Sequence, residues 1–176
     1  MDSSTTFPPF SITEELNSAA DKRILQYPTD QKRSAVLPLL HIVQHKFGFI
    51  GNDAVKWVAE KLELQPMQVY EVVSFYPGFR EHAPGKFHIR VCRTLSCAMA
   101  GSAELMERLC ELTGIDRSKC DSHHKPIAVS PCGNWSVEFA ECLASCGTGP
   151  VCLVNDDFHE AIPPEKAEEL LNQYKA

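Results

Sequence analysis

The residues of this chain with chemistry to offer are its eight cysteines, at positions 92, 97, 110, 120, 132, 142, 146 and 152. They form two close pairs, Cys92-x4-Cys97 and Cys142-x3-Cys146, each just after a segment with strand character. Four thiolates supplied by two loops at neighbouring strand ends can converge on one inorganic centre. Two tetrahedral irons need two protein sulfurs apiece, so one close pair per loop suits a 2Fe-2S cluster. Structural zinc more often uses CxxC knuckles, and a thioredoxin-type dithiol needs CxxC as well; that spacing occurs nowhere in the chain. Buried thiols that only pack are also common. From spacing alone, cluster, zinc and packing thiols all stay open.

Two expectations attach to these pairs. The loop after Cys97 leads into a helix from about Ala100, whose free N–H groups and positive dipole end favour an anionic cluster. Gly101 and Gly147 let backbone approach bridging sulfurs without a Cβ in the way. Of the remaining cysteines, Cys110 beside Leu109 in a helix and Cys152 in an apolar strand read as packing thiols. Cys120, His123, His124 and Cys132 lie in a turn-rich connection. Their spacing fits no standard zinc pattern, and solvated loop residues are the better account.

The elements that must position these residues divide the chain. The first half has no cysteine, and the breaker His82-Ala83-Pro84-Gly85 marks a boundary. The expected division is a mobile stretch over 1–10, a helical bundle over 11–82 and a mixed domain over 83–176. In the bundle, Ser11 and Glu14 form a capping-box pattern opening a helix to about Gln26. A second helix starts near Thr29 or Asp30, with Pro38 kinking it or delaying its start and Gly48 ending it. Asn52 caps a third, and Pro66 opens a fourth. In the second half, Lys86–Val91 alternates as a half-buried strand, and Ala100–Gly114 carries Leu105, Leu109 and Leu112 on one helical face. Ser136–Glu141 and Val151–Val154 read as strands, and Pro163–Tyr174 as a closing helix. The fold class expected is α+β, a helical bundle followed by a domain with a central sheet.

Composition narrows the function. The 176 residues are 44% hydrophobic and 23% charged, which is enough apolar material for packed cores. The net charge of −6, with basic residues unclustered, disfavours nucleic-acid binding. Helix 66–75 contains no Lys or Arg, so a helix-turn-helix reading of 53–75 fails. No apolar run approaches the ~18–20 residues that span a bilayer, so no direct membrane insertion is expected. The N-terminus lacks the pattern of a secretory or transit signal, and many cysteines in a reducing compartment suggest metal or redox chemistry before disulfides. There is no Rossmann fingerprint and no P-loop.

The two cysteine pairs, with Glu138-x-x-Glu141-Cys142-Leu143-x-x-Cys146 running on to Pro150 and Gly101-Ser102 after the first pair, closely resemble a known family. It is the E subunit of NADH:quinone oxidoreductase (respiratory complex I), a thioredoxin-like 2Fe-2S ferredoxin. Tyr27-Pro28, Leu37-Pro38-Leu39-Leu40, Gln44, Gly48 and Val72-Val73-Ser74-Phe75-Tyr76 extend the resemblance over roughly 12–176. It implies a thioredoxin-like second domain with a cis Pro150, and a 2Fe-2S cluster on Cys92, Cys97, Cys142 and Cys146. It also implies an electron-transfer role beside the flavin of a partner. FMN and NAD would bind the flavin- and NADH-binding subunit of the complex, other peripheral-arm subunits would be neighbours, and no NADH-oxidising site would lie on this chain. The expected location is cytoplasmic, peripheral on the inner face of the cell membrane through the complex. The homologous subunit of an NAD-linked hydrogenase or formate dehydrogenase, and a free thioredoxin-like ferredoxin, are the alternatives. Gly149 and Ser145 stand where the family more usually has alanine, and the 116–134 connection is unlike the family's short turn.

Overall fold

The computed structural model describes residues 7–120 and 127–174, which fall into two compact units, one ending at Ala83 and the other starting at Pro84. The first is helical: α1 (Glu14–Ile24), a 3-10 turn (Thr29–Ala35), α2 (Val36–Phe47), α3 (Asn52–Leu62) and α4 (Pro66–Phe75). Leu16, Leu39, Leu40, Val43, Val58, Val69 and Val73 from all four helices make its core. Two caps differ from the sequence reading. Thr13, not Ser11, caps α1, its hydroxyl accepting the Leu16 N–H at 3.2 Å. Gly51 precedes α3, and Asn52 is already its first residue. Pro38 sits in the first turn of α2, where its missing N–H costs nothing, and the 3-10 turn before it is the delayed start that proline demands.

The second unit runs β1 (Phe87–Cys92), α5 (Leu95–Met99), α6 (Ser102–Thr113), β2 (Trp135–Ala140), β3 (Cys152–Val154), β4 (Asp157–His159) and α7 (Ala167–Gln173). Single 3-10 turns lie at Arg117–Lys119, Cys146–Thr148 and Pro164–Lys166. The sheet order is β2-β1-β3-β4. β1 and β2 are parallel, with Phe87 opposite Trp135 and Cys92 opposite Ala140, while β3 runs antiparallel to both β1 and β4. Alternation sends Ile89, Val91, Val137, Phe139, Cys152 and Val154 to one face, where they pack with Leu105, Met106 and Leu109 of α6 and Leu170 and Leu171 of α7. On the other face the buried polar residues satisfy one another. The His88 ring bridges Ser136 Oγ, 2.8 Å from Nδ1, and Glu138 Oε1, 3.0 Å from Nε2.

Two departures from the expected elements bear on how the cysteines are placed. The helix expected over 100–114 is α6, which begins at Ser102, and a short helix that the sequence reading lacked, α5, precedes it, separated by a turn at Gly101, φ +99. The short strand β4, which the sequence reading did not contain, returns the chain along β3.

Candidate functional site

Parallel pairing puts the C-terminal ends of β1 and β2 at the same end of the sheet, so the segments after Cys92 and Ala140 emerge side by side. β3 is antiparallel to β1 and therefore begins at that same end, where the Cys92 N–H donates to the Val151 carbonyl at 3.1 Å. The strand order thus gathers three segments, 92–97, 141–146 and 149–151, at one end of one sheet. All four paired cysteines lie on them.

Cys92 is the last residue of β1, on the face away from the α6–α7 core, and Cys97 lies on α5; both are buried. With Val151 and the half-buried Leu143 they form a small apolar cluster of their own. Cys97 was expected in a loop before a helix; it sits instead on a five-residue helix, and α6 begins only at Ser102. Cys142 and Cys146 are exposed. The Ala144 N–H donates to Cys142 Sγ at 3.3 Å, and Cys146 opens a 3-10 turn.

Polar contacts tie the two segments together. The Thr94 hydroxyl donates to the Glu141 carbonyl at 3.0 Å and lies 3.2 Å from Cys92 Sγ. The Arg93 guanidinium pairs with the Glu141 carboxylate, Nε lying 3.2 Å from Oε2 with a second contact from Nη2. Burial pushes the Cys92 thiol up, but its contact with the Thr94 hydroxyl and hydrogen bonds with the Leu143 and Thr94 N–H groups and the Cys97 thiol outweigh it, and the net shift is downward. Cys97 shifts upward: burial, its hydrogen bond to Cys92 and the charges of Cys92 and Cys146 all disfavour its thiolate, against one N–H from Val151. Sulfurs so placed share negative charge badly on their own. A cationic centre between them removes the conflict, because coordinated thiolates need no proton.

The donor set fits an iron–sulfur cluster. All four side chains are thiols without disulfides, and each close pair can serve one iron. Among the described residues no three Cys, His, Asp or Glu side chains surround a single point. A binuclear cluster does not ask for that, since its irons divide the ligands. Gly149 gives the clearest view of close packing beside the sulfurs: a Cβ there would lie 3.4 Å from Cys97 Sγ. At Gly147 a Cβ would meet nothing within 4 Å, and Gly101 takes φ +99. The Gly149–Pro150 peptide bond is cis, as expected.

The other cysteines sort by burial. Cys152 is fully buried, and burial pushes its thiol up to about 12. Cys110 is also core, with its thiol shifted upward by a hydrogen bond to Cys120 and by burial. Cys120 corrects the expectation of a solvated loop residue: it is fully buried, its sulfur 3.3 Å from Cys110 Sγ. Cys132 is exposed, and His123 and His124 lie outside the described residues. A group the sequence reading missed is Glu160, whose carboxylate accepts hydrogen bonds from Ser145 and Thr148; these hold its pKa below the ordinary value.

The class that fold and site define is an iron–sulfur carrier on a thioredoxin-like scaffold. Residues 20–175 match the thioredoxin-like 2Fe-2S ferredoxin family, and this chain belongs to it. It is 35% identical to the E subunit of NADH-quinone oxidoreductase from Rickettsia bellii over 167 residues, 94% of this chain and 95% of that one. It is 36% identical to NADH-quinone oxidoreductase subunit 2 of Thermus thermophilus over 157 residues, 89% of this chain and 82% of that one. A solved NAD+-reducing NiFe hydrogenase shares the fold at a TM-score of 0.64 and 19% identity, over 78% of this chain; the match spans only 22% of the hydrogenase chain.

Proposed function

We propose that this chain holds a 2Fe-2S cluster on Cys92, Cys97, Cys142 and Cys146, one close pair per iron, and is the electron-transfer subunit beside the flavin of a partner in NADH:quinone oxidoreductase. The observation that carries this reading is the meeting of both cysteine pairs at one sheet end, produced by parallel β1–β2 pairing. When bound, such a cluster supplies one-electron transfer. The chain's own residues set its surroundings. Cys92 and Cys97, packed with Val151 and Leu143, keep water from one side of the site. Cys142 and Cys146 leave the other side open to a partner surface. Leu95 and Met99, 74% and 81% exposed on either side of Cys97, offer apolar contact next to that opening.

The near full-length match to E-subunit relatives supports the quinone oxidoreductase over a hydrogenase or formate dehydrogenase. In this reading the domain over 83–176 holds the cluster, and the bundle over 11–82 docks on the flavin- and NADH-binding subunit and its peripheral-arm neighbours. Within that complex the chain is a cytoplasmic, peripheral protein at the inner face of the cell membrane. Among the described residues no helix is long and apolar enough to cross a bilayer.

The test is the iron and labile-sulfide content of the purified chain, with the electron paramagnetic resonance (EPR) signal of its reduced form. Replacing any of the four cysteines singly with Ser should cut 2Fe-2S content several-fold. Cys152→Ala should leave it intact and cost about 1 kcal/mol of packing. Full loading of a Cys142→Ser, Cys146→Ser double variant would sink the assignment.

A further inference from the structure

The loop from Cys142 to Thr148 has little apolar anchorage. Leu143 is its only member packed in a core cluster, and both cysteines are exposed. Hydrogen bonds hold it instead, and they converge on one residue. Glu160 Oε1 accepts from Ser145 Oγ at 2.7 Å and from Thr148 Oγ1 at 2.6 Å, and those two hydroxyls lie 2.7 Å from each other. Backbone bonds continue the seam: the Ala161 N–H donates to the Thr148 carbonyl at 2.8 Å, and the Ile162 N–H to the Pro150 carbonyl at 3.1 Å. The topology explains the meeting. β4 returns along β3 with His159 opposite Cys152, so the next residues run back beside the segment that enters β3.

We propose that Glu160 is a positioning residue for the cluster, clamping the loop that presents Cys146 through the hydroxyls of Ser145 and Thr148. The inference rests on the ligand reading above. Hydroxyl-to-carboxylate bonds are charge-assisted and stronger than neutral ones. Two of them on one oxygen, flanking Cys146 at the residue before and the residue two after, fix the turn from which that sulfur projects. Residues that orient metal ligands in this way typically hold about 10- to 100-fold of metal affinity.

The experiment uses the full chain loaded with its cluster and measures the rate of iron release to a chelator, together with the EPR g-values of the reduced form. Glu160→Ala should release iron about 10-fold faster and shift the g-values. Glu160→Gln keeps a carbonyl oxygen for both hydroxyls but loses the charge, so its release rate should fall between those of wild type and Glu160→Ala. A Ser145→Ala, Thr148→Val double variant should behave like Glu160→Ala, and it serves as the test if Glu160→Ala lowers the thermal stability of the apo chain. Wild-type release and g-values in both the Glu160→Ala and the double variant would overturn the clamp, as would a Glu160→Gln variant no better than Glu160→Ala. Cys146→Ser keeps the readings apart: if it loses the cluster while the clamp variants do not, the ligand assignment stands and the clamp falls.

Discussion

A methyl group on Gly149 would lie 3.4 Å from both Cys97 Sγ and Ala100 Cβ, which is ordinary contact. Its backbone, at φ −63 and ψ 156, is open to any L residue. Gly149→Ala should therefore raise stability by about 0.4–1 kcal/mol, by restricting the unfolded chain, and leave iron content unchanged. Urea unfolding of the apo chain and iron analysis of the loaded one check both halves; a drop in iron content would show that Cys97 has no room for the methyl. Not every residue near the site could be read so directly. The two cysteine pairs were legible because their spacing is local and their chemistry needs pairs. Cys120 was not, since its burial depends on packing against Cys110 across a turn. Glu160 was invisible for a similar reason: it meets Ser145 15 residues away only through the β3–β4 hairpin.

At the level of elements, the break between α5 and α6 is the feature that places Cys97. Periodicity over 100–114 is continuous, and a glycine inside such a pattern is tolerated without ending it, so the sequence pattern contains α6 but not the turn before it. The turn is made by Gly101 at φ +99, ψ 26. A Cβ there meets nothing closer than 3.7 Å, so Gly101→Ala isolates the backbone cost, about 1–2 kcal/mol for a left-handed L residue. The loss should appear in chemical unfolding of the apo chain, and an unchanged midpoint would show that the turn does not depend on that angle. β4 escaped for want of length, because three residues are too few to display alternation. Its turn was in plain sight as Asn155-Asp156, with Asn155 at φ 55, a residue type that tolerates the left-handed region. The α1 cap moved to Thr13 because two hydroxyl residues, Ser11 and Thr13, compete within three positions, and only the geometry of the Leu16 N–H decides between them.

For the whole molecule, the division of labour turns on what the helical unit leaves uncovered. Of the aromatics near its helix ends, Phe47 and Phe79 are core, whereas Phe75 is 75% exposed and Tyr76 42%. Met67 and Tyr70 on α4 are exposed as well. Aromatic and Met side chains are favoured at interface centres. In the proposed reading, docking through this surface is separable from cluster binding, because Cys92, Cys97, Cys142 and Cys146 all belong to the other unit. A Met67→Glu, Phe75→Glu double variant should keep its fold and full iron content. Mixed with limiting flavin- and NADH-binding subunit, it should bind about 10-fold more weakly, the equivalent of about 1.4 kcal/mol, and its cluster should be reduced by NADH correspondingly more slowly. Saturating partner should recover the wild-type rate, because the groups around the cluster are unchanged. NADH without the flavin subunit should leave both forms oxidised, since the proposed reading places NADH and flavin on that subunit. Cluster reduction is followed by loss of visible absorbance. Equal partner affinity for the double variant and the parent would remove α4 from the docking surface, and reduction by NADH alone would overturn the division of labour itself.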